Sequence, residues 1–212
     1  MYSGFFITVE GTEGAGKSSC LSVVSDTLQS LGIEPVLTRE PGGTPYAESI
    51  RELLLKDTDE PVAPMAELLL MFAARAQHIE QKIRPSLDAG RVVVSDRFTD
   101  ATFAYQGVGR GLGTEAVCGL ETMVQQGLTP DLTLLLDLPV DVGLARMSAR
   151  GEPDRIEKEK VSFFEAVREG YLARVAQEPQ RFLVIDASQP LEQVQADIRR
   201  GLTERLMQRE QS

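Results

Sequence analysis

The sequence predicts an α/β domain built on a mostly parallel sheet, and three observations predict it. Short apolar runs recur along the chain, each is followed by a polar or glycine-rich turn, and each turn leads into a segment whose apolar residues have helical spacing. The runs place strands at 5–9, 35–38, 92–95, 132–136 and 182–185. With 212 residues and 42% hydrophobic content the chain can fill one sizeable core, so a single domain over 1–212 is expected. Residues that touch ligand in such a sheet lie just past the carboxyl ends of the strands. The turns at those ends therefore carry the candidate chemistry.

The first turn is Gly11-Thr12-Glu13-Gly14-Ala15-Gly16-Lys17-Ser18, directly after the β-branched and aromatic run Phe5-Phe6-Ile7-Thr8-Val9. Its spacing, G-x-x-x-x-G-K-S, is that of a phosphate-binding P-loop. Little side-chain bulk lets backbone N–H groups turn onto phosphate oxygens, Lys17 adds a cation, and the Ser18 hydroxyl suits a Mg²⁺ ion. Leu21, Val24, Leu28 and Leu31 then mark a helix whose positive dipole end faces the same anion.

The second strand leads into Arg39-Glu40-Pro41-Gly42-Gly43-Thr44, a cation with two glycines where backbone can approach a ligand, or else a plain polar turn. The third leads into Ser95-Asp96-Arg97, a carboxylate and guanidinium that suit a metal-bound phosphate and its acceptor. The fourth ends at Asp137, which competes with Asp96 for the metal-side role; only geometry decides between them. Within 67–83, Arg75 interrupts an apolar helix beside Met71 and Phe72, and can stack on and donate to a nucleobase. His78 reads as a helix-surface or locally hydrogen-bonded residue rather than a metal ligand. Thr102, Tyr105 and Gln106 fall on one helix face, offering hydroxyl and amide groups in one direction. Gly107, Gly109, Gly111 and Gly113 follow as a mobile or tightly turned connection. Finally, 146–157 has the composition of a lid. Arg146 and Arg150 share a helix face as like charges, Gly151 and Pro153 loosen the segment, and Arg155 closes it.

Net charge is −10 from 22 basic and 32 acidic residues, which argues against nucleic-acid and anionic-membrane partners. Cys20 and Cys118 lack metal-like spacing, and Cys20 reads as a small buried hydrophobe. No apolar run approaches the ~20 residues of a membrane span, and the start of the chain lacks a targeting pattern, so the cytoplasm is the expected location.

Taken together, 11–18, Arg39-Glu40-Pro41-Gly42-Gly43-Thr44, Asp96-Arg97-Phe98, Ala104-Tyr105-Gln106-Gly107 and Arg150-Gly151-Glu152-Pro153-Asp154-Arg155 resemble the bacterial thymidylate kinase (dTMP kinase) family, over about residues 5–206. The resemblance implies the P-loop nucleoside monophosphate kinase fold: a five-stranded parallel sheet flanked by helices, with a short lid. It also implies transfer of the ATP γ-phosphoryl group to dTMP with Mg²⁺, and usually a homodimer. By the same resemblance, Gly11, Thr12, Glu13, Gly14, Ala15, Gly16, Lys17 and Ser18 form the ATP-binding loop, Ser18 and Asp96 hold the metal, Asp96 also organises the acceptor, and Lys17, Asp96 and Arg150 are the catalytic residues. Glu13 faces the acceptor sugar, Arg39 and Arg97 hold the dTMP phosphate, and Arg51 lies nearby. Arg75 contacts thymine, Thr102 and Gln106 read its polar edge, and Tyr105 crowds the place of a ribose 2′-OH. Arg150 is the lid arginine on the transferring group, supported by Arg146 and Arg155. One position departs from the family: the aromatic residue four before the base-contacting arginine is here Met71, followed by Phe72. Either stacks on the base; packing through the Met71 thioether is the expectation. The competing readings are a kinase for another nucleotide such as dUMP, and a P-loop switch that hydrolyses nucleotide slowly. A switch needs no second pocket.

Overall fold

A computed structural model describes residues 4–148 and 154–210. Five strands, β1 (Phe5–Gly11), β2 (Val36–Arg39), β3 (Val92–Asp96), β4 (Leu132–Asp137) and β5 (Phe182–Asp186), form one all-parallel sheet in the order β2-β3-β1-β4-β5. The central strand is held on both edges, with Ile7 opposite Val94 of β3 and Leu132 of β4. Each strand runs past its last apolar residue. β2 ends on Arg39, β3 on Asp96, β4 on Asp137 and β5 on Asp186, because the ladder bonds backbone groups whatever the side chain. The polar residues at the carboxyl edge are thus held by the sheet itself.

The connecting helices are α1 (Lys17–Ser30), α2 (Pro45–Leu55), α3 (Pro64–His78), α4 (Arg84–Asp88), α5 (Thr99–Thr102), α6 (Thr114–Gln125), α7 (Val140–Ser148), α8 (Val161–Gln177) and α9 (Leu191–Glu210). Two of the starts are legible: Thr44 caps α2 by accepting from the Ala47 N–H, with Pro45 at the first helical position, and Pro64 opens α3. Wider π-helical turns follow α3 at Ile79–Ile83 and α5 at Phe103–Gly109. The second takes in Gly107 and Gly109 of the expected glycine connection and leaves Gly111 and Gly113 in the turn beyond.

Both faces of the sheet are covered, as continuous apolar runs require. On one, Val24 and Leu28 of α1 and Ile198 and Leu202 of α9 pack against Ile7 and Val9. On the other, Phe6 and Val93 meet Ile79, Ile83 and Leu87, while Phe164, Val167 and Tyr171 of α8 lie over Leu135 and Phe182. A buried carboxylate, Asp100 of α5, ties this layer to the sheet by pairing with Arg174 of α8 at 2.9 Å and Arg181, next to β5, at 2.7 Å.

Candidate active site

Above the carboxyl edge lies a cleft of about 360 Å³ between the P-loop, the β2 and β3 turns, α3 and the 102–106 stretch. Of the expected site residues it gathers Glu13, Gly14, Lys17, Ser18, Arg39 and Arg51. From the opposite wall it takes Met71, Arg75, Asp96, Arg97, Thr102, Tyr105 and Gln106.

The P-loop turns on glycines with positive φ, at Gly11, Gly14 and Gly16, the last forming the start of α1 with no side-chain cap. Uncapped N–H groups and the helix dipole there favour an anion. At Gly14 the backbone meets α7 directly: a Cβ would lie 2.0 Å from the Gly143 carbonyl oxygen, and one on Gly143 would lie 2.6 Å from that of Glu13. Lys17 Nζ donates to the carbonyls of Gly11 at 3.0 Å and Thr12 at 2.9 Å. Burial and the nearby Arg97 guanidinium push its ammonium down to about 8, so a phosphate beside it would favour the charged form.

Arg97 joins the P-loop to the opposite wall of the cleft. It holds a left-handed backbone, φ +66°, unusual for a residue with a Cβ. Its Nη2 donates to Glu13 Oε1 at 2.8 Å, its Nη1 to Tyr171 Oη at 3.1 Å, and its guanidinium lies 4.7 Å from the centre of the Tyr105 ring. Tyr105 Oη donates to both oxygens of Glu13, at 2.8 and 2.6 Å. Behind Arg97 stands Glu10, whose Oε1 accepts from the Phe98 N–H at 2.7 Å and whose Oε2 is 2.8 Å from Tyr171 Oη. Burial lifts the Glu10 carboxyl to about 8. Sequence reasoning missed Glu10 and Tyr171. The one ionisable side chain in β1 was the available signal for the first; nothing in α8 marked the second.

Arg75 lies 2% exposed between the rings of Phe72 and Phe98. Its Nε donates to Glu40 Oε2 at 2.7 Å and its Nη2 to Thr102 Oγ1 at 2.8 Å; Nη1 is buried with no hydrogen-bond partner among the described residues. Met71 faces the cleft, whereas Phe72 packs inward with Leu68, Phe103 and Val117. Gln106 lines the cleft but donates to Glu67 Oε1 at 2.8 Å, and Glu67 also pairs with Arg110 and Arg155. Arg155 is held there and at the Leu54 carbonyl. Arg39, half exposed, pairs with Glu48 at 2.8 Å, and Arg51 donates to the Pro41 carbonyl at 2.9 Å. Arg150 lies outside the described residues.

Two carboxylates competed for the metal side. Asp137 is bound on both oxygens by Arg168, at 2.7 and 2.9 Å, whereas Asp96 keeps Oδ1 buried with no hydrogen-bond partner among the described residues. Such an orphaned oxygen in the cleft that Ser18 lines fits a Mg²⁺ ion, which takes few protein ligands and completes its shell with water and substrate phosphate. Beneath the P-loop a second cavity, of about 290 Å³, runs between α1 and α9. Arg146 lines it and donates to the Ala187 carbonyl at 2.9 Å.

The thymidylate kinase family model matches residues 9–198. The chain is 57% identical over 206 residues to the thymidylate kinase of Hahella chejuensis, covering 97% of this chain and 99% of that one. It is 61% identical over 196 residues to that of Ectopseudomonas mendocina (92% and 93% covered), and 62% over 208 residues to that of Chromohalobacter salexigens (97% and 98% covered).

Proposed function

Because this chain belongs to the thymidylate kinase family, we propose that it transfers the γ-phosphoryl group of ATP to dTMP, giving dTDP. The observation that carries the reading is the cleft itself. It sets a P-loop against a second, acceptor-sized space lined by Arg39, Arg75 and Arg97, which a simple nucleotide switch does not need. The test is ATP consumption with a panel of nucleoside monophosphates and identification of the product. Strong turnover with dTMP and little with AMP, GMP or CMP is expected; hydrolysis indifferent to the acceptor overturns the reading.

In this reading the P-loop backbone and Lys17 hold the donor phosphates, with adenine toward the second cavity, near Ala187 and Gln189. Arg39 and Arg97 hold the dTMP phosphate so that its oxygen lies in line with the γ-phosphorus, the alignment on which phosphoryl transfer chiefly depends. Ser18 and Asp96 hold the Mg²⁺ ion, which supplies neutralising charge at the donor phosphates. Glu13, braced by Arg97 and Tyr105, faces the acceptor sugar, and the unpaired Arg75 Nη1 is available to a base carbonyl. Thr102 and Gln106 flank that base. Arg150 supplies the cation on the transferring group, while Arg146 lies on the donor side at the second cavity and Arg155 is held by Glu67 and the Leu54 carbonyl. Arg150→Ala is therefore expected to lower kcat by about a hundredfold or more and to leave dTMP affinity nearly unchanged. A change confined to affinity removes that role.

Met71 in the cleft and Phe72 in the interior support thioether packing on the base. Met71→Ala should raise the dTMP KM about five- to tenfold with little loss of stability. Phe72→Ala should instead cost about 3–5 kcal/mol of stability, read by thermal melting. The reverse ordering of the KM effects would reject Met71. A homodimer in the cytoplasm completes the proposal, the first supported by family membership. No described helix is long and apolar enough to cross a membrane.

A further inference from the structure

Behind the acceptor pocket stands a buried imidazole that has no part in the chemistry above. His78, the last residue of α3, is fully buried. Its Nε2 lies 2.6 Å from Thr38 Oγ1 in β2, and its Nδ1 lies 2.9 Å from Glu40 Oε1. The other oxygen of Glu40 accepts from Arg75 Nε at 2.7 Å. A carboxylate only accepts, so Nδ1 carries the proton shared with Glu40, while the threonine hydroxyl serves Nε2 in either sense.

We propose that His78 is a positioning residue for nucleobase recognition, fixing the plane of the Glu40 carboxylate and through it the guanidinium of Arg75. The inference rests on the reading of Arg75 as the base-contacting residue. A carboxylate turns freely about its last torsion, and one bond to Arg75 leaves that torsion open. The second bond, from an imidazole itself held by Thr38, closes it. Arg75 is then pinned at Nε and Nη2, and Nη1 is left as its one unpaired nitrogen. The same group of side chains reaches the phosphate side of the acceptor. A Cβ on Gly43 would lie 2.4 Å from His78 Nε2 and 2.6 Å from Thr38 Oγ1, so the turn after β2 lies directly on the pair. The Gly43 N–H in turn donates to Glu48, the partner of Arg39.

The experiment is steady-state kinetics of His78→Leu with dTMP and ATP varied separately. The dTMP KM should rise about tenfold or more, as expected when a buried acceptor loses its donor, with the ATP KM and kcat moving less than about threefold. His78→Asn, whose amide N–H can stand in for Nδ1–H, should recover most of the loss. Because this is the chain's single histidine, its ring ¹⁵N resonances are directly assignable; they should show Nδ1 protonated and respond to dTMP far more than to ATP. If His78→Leu does not fold, Thr38→Val should show the same split at about two- to fivefold. A folded variant with an unchanged dTMP KM, or with both KM values raised alike, overturns the proposal. Arg75→Lys separates the two levels: if it leaves the dTMP KM unchanged, the reading of Arg75 falls. If it raises that KM while His78→Leu does not, only the role of His78 falls.

Discussion

Arg97→Ala is expected to lower kcat/KM for dTMP by about a hundred- to a thousandfold, the equivalent of two charge-assisted hydrogen bonds to a phosphate. The guanidinium is shared between Glu13 and Tyr171 and lies over the Tyr105 ring, so its loss also leaves Glu13 braced by Tyr105 alone. Lysine is no substitute, since one ammonium cannot reproduce the planar fork that spans these partners. A second variant separates chemistry from strain. At φ +66° any residue with a Cβ is strained, so Arg97→Gly should melt higher than Arg97→Ala, by about 1 kcal/mol, while being equally inactive. Steady-state kinetics and thermal melts on the three proteins check both statements. A loss below about tenfold in a folded variant would remove Arg97 from the phosphate site.

Gly14→Ala is expected to reduce turnover by about a hundredfold or more, because displacing a phosphate-holding loop by about 1 Å is enough for a loss of that order. The new Cβ would stand 2.0 Å from the Gly143 carbonyl oxygen, a backbone atom that cannot rotate away. Gly143→Ala approaches the same contact from the other side, 2.6 Å from the Glu13 carbonyl, and should impair turnover in the same way. Gly127→Ala is the control. It has a comparable positive φ, +83°, but nothing within 4 Å of its Cβ, so it should cost about 1–2 kcal/mol of strain and leave turnover intact. Equal activity in Gly14→Ala and Gly127→Ala would show that the loop tolerates the displacement.

The sheet and its phosphate loop were legible because each rests on local pattern: β-branched runs make strands, and the glycine spacing at 11–18 makes the loop. Strand ends were short by one or two residues wherever a polar residue closed the strand, as at Asp96 and Asp137, since apolarity marks burial while the ladder continues through polar positions. What the pattern could not carry is pairing over distance. Glu10 and Tyr171 are 161 residues apart, and Arg155 finds Glu67 across 88. The pull of Glu67 on both Arg110 and Arg155 follows from a carboxylate buried in α3, which a helical count of apolar residues does not reveal. Asp96 and Asp137 looked alike in sequence; in the structure Asp96 lines the cleft, while Arg168 holds both oxygens of Asp137. His78 likewise looked like a surface or locally bonded side chain, and its partners lie 38 and 40 residues away.

The meeting of Gly14 and Gly143 also bears on motion. Where two backbones touch, no rotamer change can take up a closer approach, so movement of the P-loop toward α7 would press on that helix directly. Settling of the loop onto donor phosphates would thus reach Arg146 as a rigid translation of the helix that carries it, on the timescale of collective rather than side-chain motion. Relaxation measurements on the amides of Gly14 and Gly143 should accordingly report one shared exchange rate, with ATP altering both at once.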